Sequence, residues 1–465
     1  MSRRDIIWIT LESFRWDHTN FANHSRRTTP NLERLSKSDR GFVSNSCYSH
    51  GIYTRSSTAS ILTGRAASNH GVGIYRDQLP DTISTIPEKL SEQGYWNVCI
   101  SPNGHISGAT SLDRGFEDFR FITSSTILSE VPYSVILKFL MNISKHSGGL
   151  TINTSHHSIS YLNNRLADGY IKRSSSKDQP MFLYLHYGDS HHPYVPPLKW
   201  RDKFRDSLEM PLNDAIKLAS YMKNNLLREI ANGCDFSDEE WNALLTLYDT
   251  QLAYVDHMVG KLVQAVRSSL DNPIIVITGD HGEHFGERGL LGHRLDVTKT
   301  LTNVPLVTYG IEPELDSDGI IQHADVWEII CEEANVELEI PGGVNPAEAT
   351  RDYAVAQMGG ERCKENLDKI QEFNPEFPQE RFREVDLTAI LNEDYIYRRS
   401  ENRRTLCSHE NDSVDKPQIE SKFETWYNEW TKEYGRPVQD SDSQSKSEMS
   451  QSVRKNLEDM GYLIE

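Results

Sequence analysis

An apolar run from Pro273 to Ile277 ends in Thr278-Gly279-Asp280-His281-Gly282-Glu283, which sets a carboxylate beside an imidazole just past a buried strand. The N-terminus repeats this plan. Asp5-Ile6-Ile7-Trp8-Ile9-Thr10-Leu11 is apolar and β-branched, reads as a second buried strand, and stops on Glu12. Strands buried along their length belong in an open α/β sheet, where ligands gather in the crevice outside the carboxyl ends of the strands. Both acids are thereby expected at one crevice.

Further strands are predicted over 96–100, 181–187 and 304–309, alternating with helical stretches at 54–63, 82–93, 238–270 and 323–336. Such alternation predicts a layered α/β fold around a mostly parallel sheet. Trp241, Leu244, Leu245, Tyr248, Leu252, Val255 and Val259 recur at helical spacing and read as a core-facing stripe. In Gly51 to Arg65, hydroxyl residues precede a small apolar stripe that Gly64 closes, as a short helix starts and stops. Thr54 is then near a helix N-terminus, where free backbone NH groups and the dipole favour an anion.

With these segments in order, the chain resembles the sulfatase branch of the alkaline phosphatase superfamily. The landmarks are Thr29-Pro30-Asn31-Leu32, Leu62-Thr63-Gly64-Arg65, Arg114-Gly115-Phe116, His191-His192-Pro193-Tyr194, the run from Gly279 through Gly286-Glu287 to Gly292-His293, and Val304-Pro305-Leu306. The ending Leu457 to Leu463 also looks like a family terminus. A sulfatase carries Cys or Ser followed by x-Pro-x-Arg, the Cys or Ser being converted to formylglycine. Counted back from Thr63-Gly64-Arg65, the nucleophile position here is Thr54, with Ser56 and Thr58 at the Pro and Arg positions. The resemblance therefore implies an unmodified threonine nucleophile, as in lipoteichoic acid synthase-like and nucleotide pyrophosphatase-like relatives, and no formylglycine. Cys47 lies outside the motif and reads as a small buried residue.

The resemblance further implies an alkaline phosphatase-like catalytic domain over 1–345, a small C-terminal α+β subdomain with an antiparallel sheet over 346–438 that includes Phe382 to Arg399, and a flexible linker and terminal segment over 439–465. It implies one divalent ion (Mn, Mg, Zn or Ca) held by Glu12, Thr54, Asp280 and His281; three oxygens and an imidazole suit any of these. His191 would contact the transferred group or protonate a leaving oxygen. His293, Asn103 and His105 would line the substrate pocket. A second metal would have to use Asp189, His191 and His293, whose spacing does not match a two-metal pattern. Arg55 is taken as an exposed arginine outside the site.

A net charge of -19 argues against nucleic acid as a partner, because phosphate backbones need a basic surface. Six scattered cysteines, Cys47, Cys99, Cys234, Cys331, Cys363 and Cys407, read as free thiols of a cytoplasmic protein. Ile6 to Leu11 is too short for a signal peptide core, and no run is long enough to span a membrane. Pro132 to Met141 is the most apolar helical patch and is expected in the core or as a flap beside the substrate rather than as a membrane dock. The expected activity is metal-dependent cleavage of a sulfate- or phosphate-type ester on a small molecule or glycan, phosphate-type favoured, through a covalent Thr54 intermediate. The alternatives are a phosphoglycerol- or phosphoethanolamine-type transferase acting on a glycan or lipid, and a non-catalytic family member.

Overall fold

The computed structural model describes residues 3–149, 156–312, 315–383, 385–401, 403–408, 413–435 and 449–459. Strand Ile6–Leu11 is wholly buried within a seven-stranded sheet. Met181–Tyr187 and Ile274–Gly279 flank it in parallel, in registers that set Leu11 opposite both Tyr187 and Gly279. Trp96–Ser101 and Asp118–Phe121 extend the sheet on one side. On the other, Leu306–Tyr309 runs antiparallel and pairs with Gly41–Ser44. The expected mostly parallel α/β sheet is therefore present, with Leu306–Tyr309 as its reversed strand.

The pleat sorts the central strand between two cores. Ile7, Ile9 and Leu11 pack with residues of helices Ser160–Ser174 and Asp238–Ser269, whereas Ile6 and Trp8 pack with those of Thr54–Thr63, Ile86–Glu92 and His323–Ala334. Of the stripe on Asp238–Ser269, Leu244, Tyr248, Leu252, Val255 and Val259 are buried, and Trp241 and Leu245 pack against the core partly exposed. Trp8 stacks on Trp327 at 4.9 Å and 11°, and Trp327 Nε1 donates to the Ile61 carbonyl at 2.7 Å, tying two helices to the sheet. Trp8→Ala should lower unfolding free energy by about 3 to 5 kcal/mol in denaturant titration, since both transfer and cavity terms are lost.

Several boundaries differ from the sequence reading. The helix predicted from 82 starts at Ile86, because Thr85 and Glu88 form a capping box there. The strand predicted from 304 starts at Leu306; Val304 donates its NH to the Cys47 carbonyl and Pro305 accepts from Gly279. The apolar patch 132–141 is not core. Helix Tyr133–Met141 buries Phe139 but exposes Tyr133, Leu137, Leu140 and Met141, because it sits at the rim of the molecule.

Beyond residue 345, strands Ala354–Met358, Leu387–Leu391, Tyr395–Ser400 and Arg403–Ser408 form an antiparallel sheet in that order. Helix Pro417–Glu433 packs Phe423, Trp426, Tyr427 and Trp430 against it. Gln357 sews this sheet to the segment before Thr54: its NH donates to His50, its Oε1 accepts from the Ser68 NH at 2.8 Å, and its Nε2 donates to Thr388 Oγ1 at 2.9 Å. Residues 439–448 of the expected linker lie outside the described residues. Gln451–Asp459 is a helix whose Val453 and Leu457 pack on Ala109 and Phe121. No described helix is long and apolar enough to cross a membrane.

Candidate active site

The three central strands end together, so the residues just past them share one place. Glu12 donates its NH to Tyr187 and Asp280 donates its NH to Leu11, which fixes both acids at the same level of the sheet. The turn after Glu12 is strained. Ser13 is in the left-handed region at φ 52°, its NH held by Asp280 Oδ1 at 3.1 Å and its carbonyl by the Tyr248 hydroxyl at 2.7 Å. Gly282 follows the Asp-His pair because a Cβ there would run into the Thr300 carbonyl oxygen.

Thr54 is the first residue of helix Thr54–Thr63, after an extended Tyr53. Its hydroxyl points away from the helix into the crevice. Thr54 Oγ1 lies 3.2 Å from Glu12 Oε1 and 3.2 Å from His281 Nε2. His281 Nδ1 bonds the Gly282 carbonyl at 2.8 Å, which puts a proton on Nδ1 and turns Nε2 toward Thr54, whose single hydroxyl proton goes either to Glu12 or to that nitrogen. Asp280 Oδ1 accepts the NH groups of Ser13 and His281, while Oδ2 is buried 3.6 Å from His281 Nε2 with no hydrogen-bond partner among the described residues.

Asn103 Nδ2 donates to Glu12 Oε1 at 2.8 Å, and Asn103 Oδ1 accepts the His105 NH at 2.9 Å. His105 Nδ1 in turn accepts from Arg55 Nε at 3.2 Å. Arg55 is not the exposed arginine expected from its place after the helix start. Its side chain is 15% exposed and pairs with Asp77 at 2.6 Å, because the chain folds back over it through residues 73–77. His293 lies beside His281, ring centroids 4.3 Å apart, and bonds Glu283 through Nδ1 at 3.3 Å. His191 lies 5.3 Å from the His293 ring. All the residues expected in the pocket thus lie along one connected chain of contacts.

Electrostatics divides the acids. Burial acts to raise Glu12, but the His186 hydrogen bond and the fields of His191, His186 and His281 prevail and hold it at about 2. Burial raises Asp280, with the Glu12 charge adding to the rise. The fields of His281 and His186 oppose that rise, so the charged form is favoured more at Glu12 than at Asp280. Burial pulls His191 down to about 4, and its Nδ1 donates to the His192 carbonyl at 2.9 Å. A neutral His191 with that tautomer offers Nε2 as an acceptor, so in the free protein it suits contact with a substrate proton better than donation.

His186 was missed by the sequence reading. It stands opposite Thr10 in the ladder and meets Glu12 Oε2 at 3.2 Å, and its signal was a polar residue inside an otherwise buried strand. Asp189 lines the cavity beside Glu12, but its carboxylate is engaged by the Ile159 and Ser160 NH groups, which it accepts at 2.9 Å each at the start of helix Ser160–Ser174. Cys47 is fully buried, pushed up by burial, and pairs with Ile321 in a short strand. All six cysteines are free thiols.

The donor set fits a divalent cation in chemistry: two buried carboxylates, one with a bare oxygen, an imidazole with an acceptor nitrogen, and a hydroxyl between them. Their spacing is wide. Among the described residues, His18, His24 and Asp249 are the acid and imidazole group whose ligand atoms all lie within 4.8 Å of one another. That group is already closed: Asp249 accepts from Arg26 at 2.8 Å and meets His18 and His24 at 2.7 and 2.8 Å.

Glu12 also opens onto a cavity of about 230 Å³. Ile122, Ile127, Phe139, Leu162 and Val195 give it an apolar wall, and His191, Lys223 and Lys455 contribute polar groups. Helix Gln451–Asp459 reaches this region, with Asn456 Oδ1 accepting the Gly104 NH at 2.8 Å.

A family model described as Sulfatase matches residues 4–331. The chain belongs to the sulfatase family. A sulfatase of Formosa agariphila is 24% identical over 338 residues, covering 67% of this chain and 64% of that protein. A choline-sulfatase of Rhizobium meliloti is 24% identical over 333 residues, 67% of this chain and 63% of the relative. The chain thus spans less than two thirds of the length of these relatives. The sulfatase-family fold is also that of the phosphonate monoester hydrolase of Agrobacterium radiobacter, with TM-score 0.68, 17% identity, and 92% and 94% of the two chains covered. A 2-O GAG sulfatase aligns with TM-score 0.63, 14% identity and 92% coverage of each.

Proposed function

We propose that this sulfatase-family protein is a metal-dependent hydrolase that cleaves a sulfate- or phosphate-type ester through a covalent intermediate on Thr54, with the phosphate-type ester preferred. The observation that carries this reading is the Thr54 hydroxyl set between Glu12 and His281. Glu12, Asp280 and His281 would hold one divalent ion, with Thr54 beside it; when bound, such an ion stabilises the alkoxide and offsets charge on the substrate oxygens. In the first step Thr54 Oγ1 bonds to the phosphorus or sulfur, the bond to the leaving oxygen breaks, and the hydroxyl proton ends on the departing alcohol. Water then attacks the same centre, releases the inorganic acid and restores the hydroxyl.

Within this scheme the surrounding side chains have separate tasks. Asn103 and His186 orient the two oxygens of Glu12. His191 and His293 face the transferred group, and neutral His105 and Asp77 hold the Arg55 guanidinium in place. Names among the relatives span choline sulfate, glycan sulfate and phosphonate esters, and the side chain at position 54 favours phosphorus in this chain. A formylglycine hydrate can expel a sulfated adduct through its second hydroxyl, whereas threonine has none and needs a second in-line displacement, which phosphorus accepts on a metal-assisted site. The missing Pro and Arg at Ser56 and Thr58 agree with an unmodified residue 54.

Matched aryl phosphate, aryl phosphonate and aryl sulfate esters, each assayed with Mn, Mg, Zn or Ca, test the preference. Faster turnover of the phosphorus esters is expected. A clear preference for the sulfate, with residue 54 shown by mass spectrometry to be threonine, would reverse it. Offering alcohol acceptors in the same assays separates hydrolase from transferase by the product formed.

A further inference from the structure

Helix Tyr133–Met141 presents an exposed apolar face beside the cavity, with no partner among the described residues. Tyr133, Leu137, Leu140 and Met141 are 76, 60, 53 and 76% exposed, and their spacing of four, three and one residues puts them on one side of the helix. Leu128, just before this helix, is 66% exposed. These five make up half of the ten large hydrophobic side chains strongly exposed among the described residues, so the patch is a concentration rather than scatter. On its other side the same segment turns Phe139 and Ile127 into the cavity that opens on Glu12.

Charge is distributed just as unevenly. The chain holds 68 acidic residues, yet residues 131–167 contain no Asp or Glu, while Lys138 and Lys145 are exposed beside the apolar face. Glu130, two residues from Leu128, is paired with Arg120 at 3.3 Å, so this protein of net charge -19 keeps a lysine-bearing apolar helix with no acidic residue of its own beside the cavity that opens on Glu12. Pairing of two copies through this face about a two-fold axis would set like lysines close together. An anionic bilayer meets both features at once: apolar side chains enter the headgroup and acyl boundary, and lysines meet the headgroups.

We propose that this face docks the protein on an anionic lipid bilayer and that the ester is drawn from that surface, its apolar part lying along Phe139, Ile127 and Leu162. The substrate clause rests on the hydrolase reading above; the docking does not.

Co-sedimentation of the full chain with vesicles of phosphatidylcholine, or of phosphatidylcholine and phosphatidylglycerol in equal parts, tests it. Binding is expected to the phosphatidylglycerol vesicles, weakened by salt. It should fall about tenfold or more in a Leu137→Glu/Leu140→Glu variant. Both side chains are exposed, so the variant should keep the wild-type melting temperature and its turnover of a water-soluble aryl phosphate. Absence of wild-type binding, or equal binding by the variant, overturns the docking. Dimers that the variant dissociates, with no vesicle binding, overturn it in favour of self-association. If vesicles are bound but no ester is hydrolysed in any assay, the hydrolase reading fails and the docking stands.

Discussion

Thr54→Ala should reduce turnover by on the order of 10⁴ or more, because it removes the atom on which the proposed covalent intermediate forms. The fold should survive. The Thr54 hydroxyl is directed at Glu12 and His281 rather than at the helix backbone, so its loss should cost no more than the about 0.5 to 2 kcal/mol of a lost cap. Thr54→Ser keeps the hydroxyl and should retain part of the rate. The intermediate itself can be sought by rapid acid quench and peptide mapping, where the adduct is expected on the peptide containing residue 54 and absent from the alanine variant. Wild-type turnover by that variant would remove threonine from the mechanism and return attention to direct attack by water.

The second large effect is expected at Asp280. Its Oδ2 is buried without a hydrogen-bond partner among the described residues, and Asp280→Asn replaces half of that carboxylate with an amide. Chelation should abolish wild-type turnover, and one of Mn, Mg, Zn or Ca should restore it. Thermal unfolding supplies a readout independent of turnover: a ligand at about 100 times its dissociation constant adds about 2.7 kcal/mol to the stability of the state that binds it. The wild type should therefore melt higher with the restoring metal, and Asp280→Asn should lose most of that rise. Equal metal-dependent shifts in both proteins would place the metal elsewhere. The His18, His24 and Asp249 group would then be the first place to look, through Asp249→Asn.

Much of the fold was legible because its central strands are long and apolar throughout. Ile6–Leu11, Met181–Tyr187 and Ile274–Gly279 announce burial on both faces, and each is followed by polar residues that the parallel ladder must gather at one level. Gly41–Ser44 and Asp118–Phe121 gave no such signal, being four residues long and half-buried at the sheet edges. His186 was overlooked because it falls inside the expected strand 181–187 and no motif marks it. Arg55 was misplaced for a different reason: exposure depends on what folds over a residue, and Asp77 is distant enough in sequence to leave no local trace. For helix Tyr133–Met141 the core alternative fails and the one beside the substrate stays open, since Phe139 lines the cavity while four apolar side chains remain exposed; apolarity alone does not say which surface will cover them.

The Gln357 seam has a consequence for how this molecule can be divided. Gln357 on the second sheet satisfies backbone groups on either side of the Thr54 helix, the His50 carbonyl through its backbone NH and the Ser68 NH through its side-chain oxygen, and Gly51 pairs with Gln357 as a strand would. Expression of residues 1–345 alone would expose that amide-binding edge and leave the loop ahead of Thr54 without its splint. The Thr54 segment and the C-terminal sheet are therefore expected to be inherited together: gene fusions, truncations and recombination breakpoints that separate them should yield a folded sheet with a misaligned threonine.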